Sequence, residues 1–381
     1  MCEETRKLIY WGLFIDSPGG RDALEENRRI LQEDLEQINN DSAIPWEKLK
    51  NSTVLITGAT GLIGSALVRG ISFASRRRGL NVRILVFDRN ATPAESLTQY
   101  YGAEFFKQDI RETMKVEGRV DYIFHCADIT KSSEMAFNPT EVIETSLYGT
   151  MNALNLAREK SAKSLVYTSS MEVYGAGDHT RGLVTEEQLS SINLKSPRSC
   201  YPEGKRMCEC MCACWLSQYG VPSKIARLSH IFGAGSPKDD PRVFAEFARS
   251  VMACENIVLK TEGDTRGNYC YSADAVRALL LIALKGENGE AYNVVNPKES
   301  VAIRQMAGIV AERICEGRVL VILDKPTDEK KQGYAPSVNT KLSAEKLEQL
   351  GWRPQYGLED MYRRMIYDWR ESQGQPARIF L

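Results

Sequence analysis

Five short apolar segments, separated by stretches long enough for helices, constrain the fold of this chain most strongly. They are TVLIT, VRILVFD, YIFHCA, SLVYTSS and KIARLSH, and the first begins at Thr53. Each is almost entirely apolar, whereas a strand with one solvated face would alternate apolar and polar residues. Strands buried on both faces and joined through helices are typical of a doubly wound sheet. The segments therefore predict an α/β fold with a central parallel sheet of the Rossmann type.

The regions on either side of these segments differ from them, which predicts three parts in the chain. Residues 1–50 contain ALEENRRILQEDLEQINN, which predicts an amphipathic N-terminal helical extension that packs on the remainder of the protein. Its apolar positions are Leu24, Ile30, Leu31, Leu35 and Ile38. Residues 51–235 hold the predicted strands. Segments such as GAGSPKDDP and later helices predict a smaller, mainly C-terminal substrate-binding lobe over 236–381, with some return to the sheet.

The composition bears on the kind of partner that is expected. The chain has 381 residues with 49 Lys+Arg against 50 Asp+Glu, so charge gives no reason to expect a nucleic-acid or anionic-membrane partner. No apolar run approaches the roughly 18 residues of a membrane span, and MCEETRKLIYWGLF does not resemble a secretory signal. We therefore expect a cytoplasmic protein with reduced thiols and a small-molecule partner. The ten cysteines lack paired CxxC motifs, so no metal site is predicted.

The first predicted strand ends in a turn that is typical of a dinucleotide site. In TVLITGATGLIGSALVRG, three glycines, Gly58, Gly61 and Gly64, follow the strand and open a helix. A turn of this kind lets backbone N–H groups approach a pyrophosphate, whose charge the helix N-terminus favours. The spacing is GxxGxxG rather than GxGxxG, so the assignment needs support from the residues that follow.

The second predicted strand supplies that support. It ends in Asp88, where a carboxylate can accept hydrogen bonds from an adenosine ribose and disfavours a 2′-phosphate. NAD is therefore predicted in preference to NADP, although Arg89 beside it leaves NADP open. A further acid, Asp109, follows the third short strand, and its simplest interpretation is a turn or cap residue.

A candidate reactive centre follows the segment SLVYTSSMEVYG. Tyr201 and Lys205 are four residues apart, which places them on one helix face, and a cation beside a phenol favours the phenolate and lowers its pKa. Ser170 and Glu172 stand where the strand ends, and ligands of open α/β sheets bind at the carboxyl ends of the strands. These four residues predict an oxidoreductive centre. Ser170 and Tyr201 would hold a substrate hydroxyl, Tyr201 would take its proton, and the carbon would pass a hydride to a nicotinamide.

Four alternating cysteines, CECMCAC, lie on the same predicted helix. Helical geometry places Cys208 and Cys212 in one stripe and Cys210 and Cys214 at or beyond its edge, so all four cannot bind one metal. The other members of the stripe are Met207, Met211, Trp215, Leu216 and Tyr219. The stripe predicts packing against the sheet or a neighbouring subunit, with Cys acting as a small hydrophobe.

These motifs together resemble the extended short-chain dehydrogenase/reductases, specifically the nucleotide-sugar epimerase/dehydratase branch. The likeness runs from about Thr53 to about Trp369 and includes GATGLIG, FHCAD, YTSSMEVYG, YPEGK, RLSHIFGAG, NYCYSADAVRAL and LEQLGWRP. It implies a homodimer, and an NAD that is reduced and reoxidised within one cycle through a 4-keto sugar nucleotide. The cofactor-binding residues predicted from the motifs and the resemblance are Gly58, Thr60, Gly61, Leu62, Ile63, Gly64, Asp88, Arg89, Asp109, Ile110, Ala127, Tyr201 and Lys205.

Glu172 bears on the subclass that the resemblance implies. Dehydratases and uronate decarboxylases of the family commonly carry an acid two residues after the Ser or Thr, and a carboxylate there can move the C5 proton beside a C4 ketone. We therefore expect a lyase, either a 4,6-dehydratase or a uronate decarboxylase. A nucleotide-sugar epimerase, for which Glu172 would be dispensable, is the alternative, and a non-catalytic dinucleotide-binding regulator is a third hypothesis.

Several positions depart from the pattern of the family. Met171 stands where some dehydratases have an acid that protonates the leaving C6 hydroxyl, and Ser146 replaces the asparagine of the NxxGT helix. Alignment on NYCYSADA places Gly267 where relatives have an arginine, with Arg266 one residue earlier. The predicted contacts to the sugar or diphosphate are Thr130, Lys131, Ser132, His230, Arg242 and Arg266.

Overall fold

Parallel strands form the centre of the molecule in a computed structural model that describes residues 28–175, 182–324 and 340–375. In chain order, the strands within these ranges are β1 Thr53–Thr57, β2 Arg83–Asp88, β3 Glu104–Lys107, β4 Tyr122–His125, β5 Ser164–Ser170, β6 Ser223–Leu228, β7 His230–Phe232, β8 Ile257–Leu259, β9 Arg266–Tyr271, β10 Ala291–Val294, β11 Ser300–Ala302 and β12 Val321–Leu323. One sheet has the order β10-β6-β5-β4-β1-β2-β3, with every neighbouring pair parallel. The predicted Rossmann-type sheet is confirmed.

Helices cover both faces of this sheet. Those within the described ranges are α1 Arg29–Asn40, α2 Leu62–Arg78, α3 Ala91–Tyr101, α4 Ser132–Phe137, α5 Pro139–Glu159, α6 Cys200–Tyr219, α7 Val243–Ala253, α8 Ser272–Lys285, α9 Ile303–Ile309, α10 Glu345–Gln349 and α11 Leu358–Glu371. Successive residues of a strand point to opposite faces. Accordingly, Val54 and Ile56 of β1 pack in a core with residues of α2 and α8, whereas Leu55 packs in a second core with residues of α5 and α6.

The N-terminal helix α1 belongs to the first core. It contacts α2, α8 and α11, and its buried apolar residues are Ile30, Leu31, Leu35 and Ile38. Two ion pairs attach this part of the chain to α11: Arg28 lies 2.6 Å from Asp368, and Arg364 lies 2.6 Å from Asp34. The amphipathic helix predicted from the sequence is therefore confirmed within the described residues, while Leu24 lies outside them.

After β6 the chain leaves the large sheet and builds a smaller region. Here β9 pairs with β7 in parallel and with β11 in antiparallel orientation, and β12 pairs with β8. The chain then returns to the large sheet, because β10 pairs with β6. The boundaries at residues 50 and 235 stay predictions. None of the helices in the described ranges combines the length and the apolar character needed to cross a bilayer.

Candidate active site

In the turn between β1 and α2, neighbouring backbone atoms approach two positions so closely that only glycine fits there. Gly58 has a φ of +67°, and a methyl group there would lie 2.7 Å from the Ala127 backbone. A methyl group at Gly64 would lie 2.2 Å from the Gly58 carbonyl oxygen. Leu62 and Ile63 form the first helical turn, whose N–H groups have no acceptor within a helix. The turn therefore fits the pyrophosphate of a dinucleotide, with the positive end of α2 directed at it.

The Asp88 carboxylate lies directly beside this turn. Its Oδ2 accepts hydrogen bonds from the Thr60 backbone N–H at 3.0 Å and from the Thr60 hydroxyl at 2.8 Å. Its Oδ1 accepts from the Asn90 N–H at 3.0 Å. These bonds fix the acid at the end of β2, next to the predicted pyrophosphate site, where the ribose of a dinucleotide is expected.

Arg89 lies among carboxylates. Its guanidinium is 3.8 Å from Asp109 and 3.4 Å from Glu141. Asp109 is bound more closely by Arg111 at 2.8 Å, and the Arg111 hydrogen bonds lower the pKa of that carboxyl below its ordinary value. The negative charge of these acids would oppose a 2′-phosphate, which favours NAD over NADP.

Ile110 and Ala127 lie close to the same edge of the sheet. The Asn152 side chain donates to the Ile110 carbonyl at 2.8 Å, and the Ala127 N–H donates to the Thr57 hydroxyl at 3.2 Å. Each bond ties a loop at the carboxyl end of one strand to a neighbouring element. The predicted cofactor residues thus converge on one edge, and their roles in binding NAD stay predictions.

The residues of the predicted reactive centre meet at the carboxyl end of β5. Ser170 ends this strand, and its hydroxyl accepts from the Glu172 N–H at 3.2 Å. Tyr201 and Lys205 occupy the first turns of α6, and the Lys205 ammonium lies 5.6 Å from the centre of the Tyr201 ring. Lys205 also donates to the Thr168 carbonyl of β5 at 2.7 Å, which anchors the helix to the strand.

Burial dominates the acidity of Tyr201. Removal from water raises the pKa of the phenol above its ordinary value, while the Lys205 charge and a hydrogen bond with Ser170 lower it. Asp128 and Glu172 add negative charge nearby and raise the pKa further. Lys205 therefore acts in the direction predicted from the sequence. The prediction that the pKa of Tyr201 falls below its ordinary value is nevertheless wrong for the protein without cofactor. Burial of the phenolate raises the pKa by more than the Lys205 charge lowers it.

Asp128 is a charged member of the centre to which the sequence pattern gave no role. Its carboxylate lies 2.7 Å from the Lys205 ammonium, and both side chains are only 3% exposed. The Ser146 hydroxyl donates to the same carboxylate at 2.9 Å. The sequence feature that could have pointed to Asp128 is its position directly after the buried segment FHCA. This position lies at the same sheet edge as the glycine turn.

Glu172 also has a partner that sequence reasoning missed. The Arg198 guanidinium donates to its carboxylate at 2.9 Å, and each side chain is about one-third exposed. Arg198 belongs to the short 3₁₀ turn Pro197–Ser199 directly before α6, so one turn carries this arginine and leads into Tyr201. Met171 between Ser170 and Glu172 packs against the apolar core.

The predicted substrate contacts are more dispersed. Thr130 and Lys131 are exposed on the loop that leads into α4, and Ser132 is exposed at the first position of that helix. The centre of the His230 ring of β7 lies 5.4 Å from the centre of the Tyr269 ring, with the two ring planes tilted by 34°. Burial, with a smaller effect from the Arg242 charge, lowers the pKa of His230 to about 4, so this imidazole is neutral at physiological pH.

The two arginines predicted to bind substrate have partners in the smaller region. Arg242 is held by Asp240 at 2.6 Å, and Arg266 donates to the Ser300 carbonyl. A methyl group at Gly267 would lie 2.3 Å from the Tyr269 hydroxyl, so no larger side chain fits there without rearrangement. Contact of these residues with a substrate stays a prediction.

The alternating cysteines are divided as predicted. Cys208 and Cys212 are fully buried, whereas Cys210 and Cys214 are exposed. Two members of the predicted stripe do not pack against the sheet, because Met207 is 52% exposed and Tyr219 is 40% exposed. Their packing against a neighbouring subunit stays a prediction. Among the described residues, no group of three or more His, Cys, Asp or Glu side chains is arranged to hold a metal ion.

Comparisons with known proteins show the family of the chain. Residues 54–296 match the family described as NAD dependent epimerase/dehydratase. A UDP-glucuronic acid decarboxylase of Arabidopsis thaliana is 29% identical over 86% of this chain and 92% of its own length.

Solved structures share the fold at lower identity. The dTDP-glucose 4,6-dehydratase of Streptomyces venezuelae, with NAD bound, has a TM-score of 0.70 at 23% identity, over 86% of this chain and all of that one. The UDP-glucose 4-epimerase of Thermotoga maritima has a TM-score of 0.70 at 21% identity, over 84% of this chain and 99% of that one. The family match confirms the predicted enzyme class and its use of NAD. The chain belongs to the NAD dependent epimerase/dehydratase family.

Proposed function

We propose that the protein is an NAD-dependent lyase that acts on a nucleotide-diphosphate sugar through a 4-keto intermediate, and that this sugar is a glucuronate. The observation that carries the proposal is the convergence of Ser170, Tyr201 and Lys205 with the Glu172 carboxylate at the end of β5. The curated decarboxylase relatives, which align with most of this chain, support the choice of glucuronate.

The bound NAD would accept a hydride from C4 of the sugar and return it later in the cycle. The glycine turn, Asp88 and the first turn of α2 would hold it. At the sugar, Ser170 and Tyr201 would bind the C4 hydroxyl, and the Tyr201 oxygen would take the hydroxyl proton. Lys205 would favour the phenolate by its charge.

Oxidation at C4 makes the C6 carboxylate of a glucuronate β to a ketone. The bond between C5 and C6 can then break, with its electron pair delocalised into the C4 carbonyl as carbon dioxide leaves. C5 needs a proton afterwards, and the Glu172 carboxylate would take one up from solvent and pass it to C5. Its backbone N–H donates to the Ser170 hydroxyl, which keeps Glu172 beside the reactive centre. Tyr201 would return its proton to the C4 oxygen.

Met171 favours decarboxylation over dehydration. Elimination of water from C6 needs an acid to protonate the leaving hydroxyl, and a thioether packed on the apolar core cannot supply one. Loss of carbon dioxide needs no such acid. The exposed Lys131 and the arginines Arg242 and Arg266 would contact the diphosphate or the carboxylate, with Thr130, Ser132 and His230 as sugar or diphosphate contacts.

The proposal is tested by products rather than by binding. We would incubate the protein and NAD with UDP-glucuronate labelled with ¹³C at C6, with UDP-glucose and with dTDP-glucose. Labelled carbon dioxide from the glucuronate is the expected result. C4 epimers without carbon dioxide or a 4-keto product would establish the epimerase instead, and a Glu172→Gln variant with full activity would agree with that outcome.

We also propose a homodimer that forms through α5 and α6. Their outer surfaces expose Ile143 and Tyr148 from α5 and Met207 from α6, with exposed fractions of 41%, 50% and 52%. Light scattering after gel filtration should give twice the monomer mass, and Tyr148→Glu with Met207→Glu should give the monomer. A monomeric wild-type protein would contradict this proposal.

We place the protein in the cytoplasm. The cysteines of the described residues are all free thiols, which is typical of a reducing compartment. Cell fractionation should recover the protein with cytosolic markers, and enrichment in a membrane or secreted fraction would exclude this location.

A further inference from the structure

Asp128 forms a buried ion pair with one member of the reactive centre and has no role in the chemistry described above. The carboxylate follows β4, and the ammonium of Lys205 enters from α6, with 2.7 Å between Oδ2 and Nζ. Nothing in the reaction requires an acid at this position. A charge here nevertheless acts on the group that activates Tyr201.

The hydrogen bonds of Lys205 determine how many of its N–H donors are left for the catalytic site. An ammonium has three donors. One is directed at Asp128 and one at the Thr168 carbonyl, each at 2.7 Å. A single donor is left for the Tyr201 side of the site or for a cofactor hydroxyl. Asp128 therefore determines where the ammonium lies and how many hydrogen bonds it can offer.

Ser146 completes the arrangement. Its hydroxyl donates to both carboxylate oxygens of Asp128, at 2.9 and 3.1 Å. It also lies against α6, because a methyl group at Gly204 would be 3.6 Å from its oxygen. The carboxylate is thus held from two sides, by Ser146 of α5 and by Lys205 of α6.

We infer that Asp128 is a positioning residue of the reactive centre, which anchors Lys205 and partly neutralises its charge, so that Tyr201 ionises less readily than it would beside an unpaired lysine. The chemical role of Tyr201 in this inference rests on the proposed function. The placement of Asp128 does not.

Other charged and titratable groups also face this site from each surrounding element. They are His125 of β4, Cys126 after β4, Tyr167 of β5, Glu172 after β5, and Cys200 and Cys208 of α6. His125 is buried, and its pKa is lowered to about 4, first by burial and then by Lys205, so it is neutral above that pH. Asp128 is therefore the acid closest to Lys205, whereas Glu172 is paired with Arg198.

The test follows the ionisation of Tyr201 in the protein saturated with NAD, by NMR of tyrosine labelled with ¹³C at Cζ. The spectrum of Tyr201→Phe assigns the resonance. In Asp128→Asn the positive charge of Lys205 is no longer offset, so the Tyr201 midpoint should move to lower pH. An unchanged midpoint would overturn the inference.

Two further variants separate positioning from general stability. Ser146→Ala removes a donor from the carboxylate and leaves its charge less stabilised by hydrogen bonds, so the Tyr201 midpoint should move to higher pH. This variant also tests the inference if Asp128→Asn does not fold. Asp274→Asn breaks a comparable buried pair with Arg277 on α8, at 2.8 Å, and should lower the melting temperature without moving the Tyr201 midpoint. Equal shifts in Asp274→Asn and Asp128→Asn would reduce Asp128 to a structural role.

Activity supplies an independent readout. With UDP-glucuronate as substrate, the acidic limb of the pH profile of kcat/KM should move to lower pH in Asp128→Asn. If wild-type protein turns over no nucleotide sugar, the proposed function fails, whereas the NMR titration still decides whether Asp128 acts on Tyr201.

Discussion

The carboxyl edge of the large sheet and the smaller C-terminal region hold their polar residues in different ways. At the edge, Lys205 of α6 joins Asp128 after β4 to Thr168 of β5, all buried and far apart in sequence. In the smaller region, Arg242 pairs with Asp240 only two residues away, and its side chain is 43% exposed. The Lys205 ammonium is therefore preorganised by buried partners from other elements. The Arg242 guanidinium is partly exposed, and we expect a substrate to contact it.

The comparison leads us to expect that changes at the edge reduce the rate, while changes in the smaller region weaken substrate binding. The largest effect is expected for Tyr201→Phe, because general-base catalysis contributes about 10²- to 10⁴-fold to a rate. We expect kcat to fall by that order with little change in KM. Steady-state kinetics measures this, and unfolding curves would show that stability is retained. A loss confined to KM would contradict the role of Tyr201.

Acid should destabilise both regions through one histidine in each, His125 at the sheet edge and His230 in the smaller region. Burial is the main cause that lowers the pKa of His125 and of His230 to about 4, while an unfolded histidine titrates near 6.5. Between about pH 6.5 and pH 4 each histidine is therefore protonated in the unfolded chain and neutral in the folded chain. The free energy of unfolding falls as the pH drops through this range. Each histidine contributes up to about 3 kcal/mol to this fall.

The two contributions can be separated by substitution. His125→Gln and His230→Gln should each show a smaller loss of stability between these pH values in urea unfolding experiments. His125 also accepts or donates hydrogen bonds with Thr57 and Thr150, so its variant should start from a lower stability. If the free energy of unfolding of a variant depends on pH as it does in wild type, the substituted imidazole has the same pKa in the folded and the unfolded chain, which would contradict the prediction.

Position 64 of the glycine turn should tolerate no side chain. Gly64→Ala would place a methyl group 2.2 Å from the Gly58 carbonyl oxygen, and crowding of this kind costs about 1–3 kcal/mol. We expect a lower melting temperature and weakened NAD binding by calorimetry. The matched control is Gly308→Ala in α9, where a methyl group meets no atom within 4 Å. This control should be neutral or stabilising, and equal losses in both would contradict steric crowding.

The smallest effect is expected in the smaller region. Arg242→Gln removes a partly exposed charge already paired with Asp240, and an exposed pair contributes little to stability. We expect KM for the nucleotide sugar to rise about 10-fold, which is about 1.4 kcal/mol, with kcat retained. A loss of kcat with constant KM would place Arg242 in the chemistry rather than in binding.

The same comparison explains what could be predicted from the sequence. The sheet, the glycine turn and the Tyr201/Lys205 helix follow from local patterns whose spatial relation is dictated by topology, because parallel strands end at one edge. Asp128 and Arg198 were missed because single acids and bases have no pattern, and only tertiary structure shows their partners. The predicted direction of the Tyr201 pKa shift was wrong for the same reason, because a YxxxK motif does not show how deeply the tyrosine is buried.

If the Ser170, Glu172, Tyr201 and Lys205 cluster makes this enzyme a lyase acting at C5, the product must carry a hydrogen from solvent at that carbon. The reaction would be run in D₂O with NAD and UDP-glucuronate, and the product examined by NMR. Both carbon dioxide loss and dehydration require a solvent-derived hydrogen at C5, whereas C4 epimerisation leaves C5 untouched. We predict deuterium at C5 of the product, strongly reduced turnover in Glu172→Gln, and turnover lowered about 10²- to 10⁴-fold in Tyr201→Phe. A C4 epimer without deuterium at C5 would contradict the account.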